Sequence, residues 1–117
     1  RPIKSFRNEI AVQTHPKDKT VPCEIYRDLE VPTGKKTSLK VKASYHAHGD
    51  WQIRVKADGK VIHDQIVGYT AVQSQWLELN LDLSDYAGKK IPIVIENRAN
   101  DWRNEFGYWG SIEVVSK

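Results

Sequence analysis

The chain has 117 residues, of which 39% are hydrophobic and 28% charged, a balance that excludes a disordered protein and fits one folded domain. The net charge is +3, but its 18 Lys and Arg residues form no basic block, so nucleic acid is not an expected partner. No run of about 18 apolar residues occurs, so the sequence offers no membrane-spanning segment.

The start of the chain and its cysteine content give two further expectations. The chain begins Arg1-Pro2, with no initiator methionine and no apolar leader, which fits either a mature product or an excised piece of a longer chain. Of these we expect the second, with residues 1–117 as one domain of a larger protein. Cys23 is the single cysteine, which rules out an internal disulfide bond. Its apolar neighbours predict a small buried side chain rather than a reactive thiol.

Alternation of apolar and polar side chains predicts strands in the first half of the chain. In TSLKVKASYH, Leu39, Val41 and Ala43 share one face, a pattern typical of an antiparallel strand with one buried side. Asp58-Gly59 predicts a type I′ hairpin turn, because both central positions of that turn need positive φ. The predicted strands are 9–14, 23–31, 37–46, 51–57 and 60–67, with a turn at 31–36.

The second half predicts three more strands, at 75–83, 91–97 and 108–115. Between the first two, Ser84 and Gly88 are placed to cap and end a single helical turn. Pro92 lies on the outward face of its strand and predicts an edge position there. About eight short strands without a long helix predict an all-β fold, a two-sheet antiparallel β-sandwich of jelly-roll type.

The stretch NRANDWRNEFGYWG, residues 97–110, concentrates aromatic and polar side chains in one place. The flanking strands predict that residues 98–107 form a long connection, and loops of that length often carry function. Trp102 at its centre is suited to stack on the apolar face of a sugar ring, or else to fold back over the core. Hydrogen bonds to sugar hydroxyls would come from its neighbours Asn100, Asp101 and Arg103. By contrast, Tyr108 and Trp109 are expected to pack into the sandwich, and Phe106 is expected to anchor the loop.

Trp76 is the second unusual aromatic residue. Its strand turns four leucines inward, which leaves Trp76 on the polar face with Glu78, Asn80 and Asp82. Tyr69 lies just upstream in a predicted loop. An outward indole can form a flat platform for a sugar, or it can cover a neighbouring loop.

Metal ions and cofactors receive little support from the sequence. His46 and His48 would share one face of a strand, but two ligands do not make a metal site and no zinc motif accompanies them. Acidic residues leave a structural Ca²⁺ open, although their spacing singles out no site. No organic cofactor is expected.

An enzyme is also not expected. Asp101 and Glu105 provide two carboxylates in one loop, the residue types that glycoside hydrolysis needs. Such pairs arise readily among 15 acidic residues, and no nucleophile-elbow, phosphate-loop or dinucleotide motif occurs.

Three segments carry a resemblance to a known family: GDWQIRVKADGKVI, LDLSDYAGKKIPIVIENRAN and YWGSIEVV. They resemble the galactose-binding-like jelly-roll domains of bacterial glycan-active and cell-surface proteins. These domains are similar to carbohydrate-binding modules, including those of planctomycete exported proteins. The resemblance covers roughly residues 20–116 and implies a jelly roll, ligand contact through loops at one end, and an extracellular or periplasmic location. Many such domains carry a structural Ca²⁺, but no calcium motif can be matched here.

Two hypotheses follow. The first is a noncatalytic carbohydrate-binding module for a glycan or polysaccharide, with an anionic ligand favoured by Arg103 and by the basic charge balance. The alternative is a structural or protein-docking domain in which Trp102 and Trp76 anchor other domains of the parent chain. The candidate ligand-binding residues are Trp102, Arg103, Asp101, Asn100, Glu105, Trp76 and Tyr69.

Overall fold

A computed structural model describes residues 3–7, 9–68, 75–100 and 104–117. Within these ranges the chain forms nine strands and one short 3-10 helix, Ser84–Tyr86. The eight predicted strands are confirmed to within two residues at each end, and a four-residue strand at the start is added to them. The strands are β1 (Ile3–Phe6), β2 (Glu9–Thr14), β3 (Cys23–Glu30), β4 (Thr37–Tyr45), β5 (Asp50–Ala57), β6 (Lys60–Gly68), β7 (Leu77–Asp82), β8 (Lys90–Arg98) and β9 (Gly107–Ser116).

The strands form two antiparallel sheets. Sheet A has the order β1-β2-β9-β4-β7, and sheet B has the order β3-β8-β5-β6. From β3 onward the chain crosses between the sheets at most connections. At one end of the sandwich, here called the loop end, lie the segments 15–22 and 46–49 and the described residues 99–100 and 104–106. The predicted all-β jelly-roll sandwich is confirmed.

The core lies between the sheets and is built from the alternation seen in the sequence. The inward residues of β5, from Trp51 to Ala57, are 0% exposed, and they face Leu39, Val41 and Ala43 of β4. The Trp51 indole meets Trp109 edge-on at 5.1 Å, and its Nε1–H donates to the Ser44 carbonyl at 3.0 Å. Burial of each large apolar side chain stabilises the fold by about 1.5–3 kcal/mol. Because the indole N–H has an acceptor, burial of this large side chain leaves no unpaired donor at the centre of the core.

Local chemistry explains where the strands turn. Asp58 and Gly59 have φ of 53° and 78°, as the type I′ prediction requires. Ser84 does not cap the short helix, because Asp82 Oδ1 instead accepts the Ser84 N–H at 2.9 Å. Cys23 is half-buried rather than fully buried, since it begins a strand at a sheet edge.

The edge position predicted from Pro92 is wrong, because β8 lies between β3 and β5. The pairing of β8 with β5 ends at Ile93, so no ladder bond from residue 92 to β5 is needed. The Pro92 carbonyl accepts the Asp58 N–H at 3.0 Å. A proline is tolerated within this sheet because it sits just past the end of a neighbouring strand.

Candidate functional site

Asn100 and Glu105 lie in the loop between β8 and β9 and are bonded to each other. The Asn100 backbone N–H donates to Glu105 Oε1 at 2.6 Å, and its side-chain Nδ2 donates to Asp50 Oδ2 at 3.0 Å. Asn100 is exposed, whereas Glu105 is 0% exposed. In this conformation the Glu105 carboxylate has no surface for a ligand, and it holds the loop instead.

The same loop packs closely on the β4–β5 connection. A Cβ on Gly49 would lie 2.1 Å from the Asn104 carbonyl oxygen, so the two backbones are in direct contact. Asn104 itself has a φ of 54°, and its Nδ2 donates to the His48 carbonyl at 3.4 Å. Only glycine at position 49 permits this approach.

Four of the predicted ligand residues lie outside the described ranges. These are Tyr69, Asp101, Trp102 and Arg103, and their parts in binding stay predictions.

The aromatic residues expected to pack do so. Trp109 and Tyr108 are 4% and 5% exposed. Trp109 Nε1–H donates to Thr14 Oγ1 at 2.9 Å, while the Phe6 ring stacks on Tyr108 at 3.7 Å. Burial raises the pKa of the Tyr108 hydroxyl. Phe106 is half-buried and lies 4.9 Å from the His15 ring. Trp109 therefore belongs to the core between the sheets, whereas Tyr108 is buried outside that core, against Phe6.

Trp76 lies on the outer face of sheet A, as its pattern predicted. It is half-buried, with its ring against Gly110, where an added Cβ would meet Cζ3 at 3.0 Å. Gly110 is the extra residue of a β-bulge, since the β4–β9 register shifts between Lys42 and Ala43. Lys42 Nζ sits 5.2 Å from the indole centroid, and Phe6 meets the ring edge-on at 6.3 Å.

A polar groove continues from Trp76 along the outer face of sheet A. Two rows of cross-strand neighbours line it. In one row, Lys42 lies between Glu78 and Ser111. In the other row, Lys40 lies between Asn80 and Glu113. The depression has a volume of about 280 Å³. Amines, carboxylates, an amide and a hydroxyl alternate across it, so it can donate and accept hydrogen bonds along its length. This surface is here called the sheet A groove; it is lined by Lys40, Lys42, Glu78, Asn80, Ser111 and Glu113.

The sequence placed Glu78 and Asn80 on an outward face with Trp76, but it did not show that Lys40, Lys42, Ser111 and Glu113 lie beside them. These neighbours depend on strand order. Nothing in the local pattern of residues 37–46 indicates that β9 and β7 flank them.

The outer face of sheet B is occupied by its own ion pairs. Glu96 bonds Arg98 at 2.9 Å and Lys56 at 3.4 Å, and Arg54 bonds Asp64 at 2.9 Å. Desolvation acts to raise the pKa of the 2%-exposed Glu96 carboxyl, but the Arg98 bond and the Lys56 charge outweigh it and hold that pKa below its usual value. These side chains are already paired with one another, which makes the outer face of sheet B a weaker candidate for a ligand site than that of sheet A.

Metal ligands are not assembled in the part of the chain that the structure covers. His46 and His48 lie 5.9 Å apart ring to ring, and His46 Nδ1 accepts the His48 backbone N–H at 3.1 Å. Across the described ranges, no three His, Cys, Asp or Glu side chains are grouped to hold a metal ion. No helix in these ranges is long and apolar enough to cross a membrane.

Comparison by sequence finds no relative, because no family model and no curated protein matches the chain. Comparison by structure finds similar folds at low identity. The EclA C-terminal domain, described as a sugar-binding protein, aligns with a TM-score of 0.69 and 13% identity over 92% of this chain and 78% of that domain. A CBM4 structure aligns with a TM-score of 0.51 and 12% identity over 100% of this chain and 89% of that chain.

A third similar structure is a family 43 glycoside hydrolase, an arabinoxylan arabinofuranohydrolase from Bacillus subtilis solved with cellotetraose. It aligns with a TM-score of 0.56 and 17% identity over 97% of this chain but only 23% of the hydrolase. The likeness therefore concerns one portion of that enzyme. At these identities the three comparisons establish a shared β-sandwich fold.

Proposed function

We propose that this domain is a noncatalytic carbohydrate-binding module that holds a glycan on the outer face of sheet A. The observation that carries the proposal is the position of Trp76, half-exposed at the end of a polar groove. A sugar ring has an apolar face and a rim of hydroxyls, and it needs an aromatic surface beside hydrogen-bonding groups. The sugar-binding description of a protein with a similar fold supports this choice.

Trp76 would stack on one sugar ring, and the sheet A groove would bind the rings that follow. Gly110 sets the height of the indole, because a side chain there would lift the ring off the sheet. Lys42 lies over one face of the indole and would donate to hydroxyls at its margin. Because only a few contacts offset the lost freedom of the ligand, we expect dissociation constants of roughly micromolar to millimolar.

The residues at the loop end would extend this site. Asn100 is exposed, and its Nδ2 donates to Asp50, so its side-chain amide is held at the surface. We propose that Trp102, Asp101, Arg103 and Tyr69 add stacking and hydrogen bonds there. Glu105 would contribute indirectly, by fixing the Asn100 backbone.

The charge of the ligand is a separate part of the proposal. In the sheet A groove, Lys40 and Lys42 are balanced by Glu78 and Glu113, which suits hydroxyl groups. A preference for anionic glycans would come from Arg103 and the overall charge of +3. Strong salt dependence of binding is expected only if that arginine takes part.

The absence of catalysis is proposed on the geometry of the acidic pair. Glu105 is fully buried and bonded to a backbone N–H, so it is badly placed to protonate a glycosidic oxygen. We also propose that the protein works outside the cytoplasm, at the extracellular or periplasmic side, where polysaccharides are met.

Affinity electrophoresis against neutral and anionic polysaccharides tests the function. Trp76→Ala should weaken retardation by about tenfold or more, the cost of losing one stacked ring and its hydrogen-bond partners. Tyr26→Ala is the matched control, because Tyr26 is an aromatic residue 62% exposed on sheet B. Equal losses in both variants, or no retardation by any polysaccharide, would contradict the proposal.

A further inference from the structure

One edge of the sandwich is open between β3 in sheet B and β9 in sheet A. β3 is an edge strand of its sheet, and among the strands that the structure describes it pairs only with β8. β2 pairs with β9 only from Gly107 to Trp109, so no described strand covers the rest of that edge of β9. This opening is here called the β3–β9 seam; its side chains are Val12, Ile25, Arg27, Leu29, Ile112 and Val114.

The seam gathers half of the exposed large hydrophobic side chains that the structure describes. Of six such side chains in the described ranges, three lie here, namely Val12 at 40%, Ile112 at 38% and Val114 at 37%. Two adjoining depressions of about 230 and 380 Å³ run along it. Contiguous apolar surface of this kind marks an interaction site more often than scattered apolar side chains do.

The two strand edges differ in how well they are protected. On β3, Arg27 lies between Ile25 and Leu29 on the same face of the strand, so a charged side chain projects on the inward side of an edge strand. That arrangement blocks the addition of another strand to β3. On β9 the inward residues are Ile112 and Val114, which carry no charge, so its backbone edge is the accessible one.

Arg27 also indicates the chemistry of a partner that would bind in the seam. It lines an apolar depression beside Ile112 and Val114, and within the described part of the chain it makes no ion pair or side-chain hydrogen bond. A guanidinium in such a place would gain from a carboxylate brought by a partner. The free ladder of β9 in turn needs alternating N–H and C=O groups, which an extended polypeptide supplies at the spacing of a strand.

From these observations we propose that the β3–β9 seam binds an extended polypeptide segment, which adds to β9 as a further strand of sheet A. Its inward side chains are apolar and fill the seam against Ile112 and Val114. One inward position carries a carboxylate that pairs with Arg27. Outward positions are polar, because they lie beside Ser111 and Glu113 on the solvent side. This site is separate from the sheet A groove and does not depend on glycan binding.

A defined peptide tests the proposal on the whole domain. The probe is the capped peptide Lys-Val-Thr-Glu-Lys-Val-Thr-Val, whose even positions give an apolar face with one carboxylate. We expect chemical-shift changes and slowed amide exchange at residues 111–116 in nuclear magnetic resonance titrations. Arg27→Glu should weaken binding roughly fivefold, and the peptide with its Glu replaced by Lys should restore binding to that variant. Lys60→Glu, an exposed charge change at the far hairpin, is the control.

Each other outcome overturns the proposal. Absence of binding at millimolar peptide, or equal binding by peptides with proline at the third or fifth position, would remove the strand-addition mechanism. Binding that ignores the charge at residue 27 would remove the role of Arg27. A concentration-dependent dimer that protects residues 111–116 without peptide would assign the seam to a second copy of the chain.

Discussion

The Trp76 indole rests on Gly110, the extra residue of a bulge in the last strand, and the missing side chain is what brings the ring down onto sheet A. An added Cβ would lie 3.0 Å from Cζ3 and 3.3 Å from Cη2. The position of the indole is therefore set by a residue 34 positions away in the sequence. Sugar binding on this face would depend on backbone geometry as much as on the aromatic residue itself.

Gly110→Val should displace the ring and weaken glycan binding while leaving the fold intact. The backbone φ at this position is not in the left-handed region, so the effect would come from contact with the indole rather than from backbone strain. We expect a stability loss of about 1–2 kcal/mol by urea unfolding and a red shift of tryptophan emission. Unchanged emission and unchanged glycan affinity would contradict the packing of the Trp76 ring on Gly110.

Gly49→Ala should be far more damaging. Its Cβ would lie 2.1 Å from the Asn104 carbonyl oxygen, and backbone on both sides must move to relieve that contact. We expect a loss of about 2–4 kcal/mol in the free energy of unfolding, because the β4–β5 and β8–β9 loops would separate. Ala47→Ser in the same exposed loop is the control and should cost almost nothing; a wild-type melting temperature for Gly49→Ala would show that the loops are not in contact.

Glu105→Ala should loosen the loop end without touching the sheet A groove. The change removes the acceptor of the Asn100 N–H and leaves a cavity, at a cost of about 2–4 kcal/mol. Glu105→Gln keeps an oxygen acceptor and should cost less. Faster amide exchange of Asn100 in the Ala variant alone would support the positioning role, and identical exchange in both variants would argue against it.

Glu96 makes stability depend on pH in a defined direction. Although burial acts to raise the pKa of its carboxyl, Arg98 and Lys56 hold that pKa below the ordinary value of 4.5. The folded state then favours the ionised form, so this stabilisation is complete above the ordinary pKa and is lost as pH falls through the lowered one. Unfolding measured from pH 7 to pH 3 should show a smaller acid-induced loss in Glu96→Gln than in the wild type. Parallel profiles would mean that Glu96 does not control this dependence.

Most of the fold could be predicted from local pattern. Period-two alternation in residues 37–46 and 51–57 identifies both the strands and their buried faces, because one side of each sheet packs on a continuous core. The Asp58-Gly59 turn follows from backbone sterics alone. Strand β1 was missed because four residues, IKSF, are too few to establish a period.

The site was harder to predict than the fold. Trp76 could be placed on an outward face, but its contacts with Lys42 and Gly110 need the order β9-β4-β7, which no local pattern specifies. The edge position predicted from Pro92 was wrong for the same reason. The sequence of β8 does not show that β5 stops pairing with it at Ile93, next to the proline. Glu105 looked like a ligand contact because sequence gives residue type and not burial.

The strand order of sheet A also affects how the chain folds. β9 pairs with β4 along its length and with β2 at its start, so the middle of the sheet is completed by its last-synthesised strand. Contacts between residues about 100 positions apart are slow to form, because the entropy of closing a long loop is lost before the contacts can stabilise the fold. On a ribosome, β2 and β4 would wait with their facing edges unpaired until residues 107–116 emerged, and during that interval the nascent chain would be most exposed to aggregation.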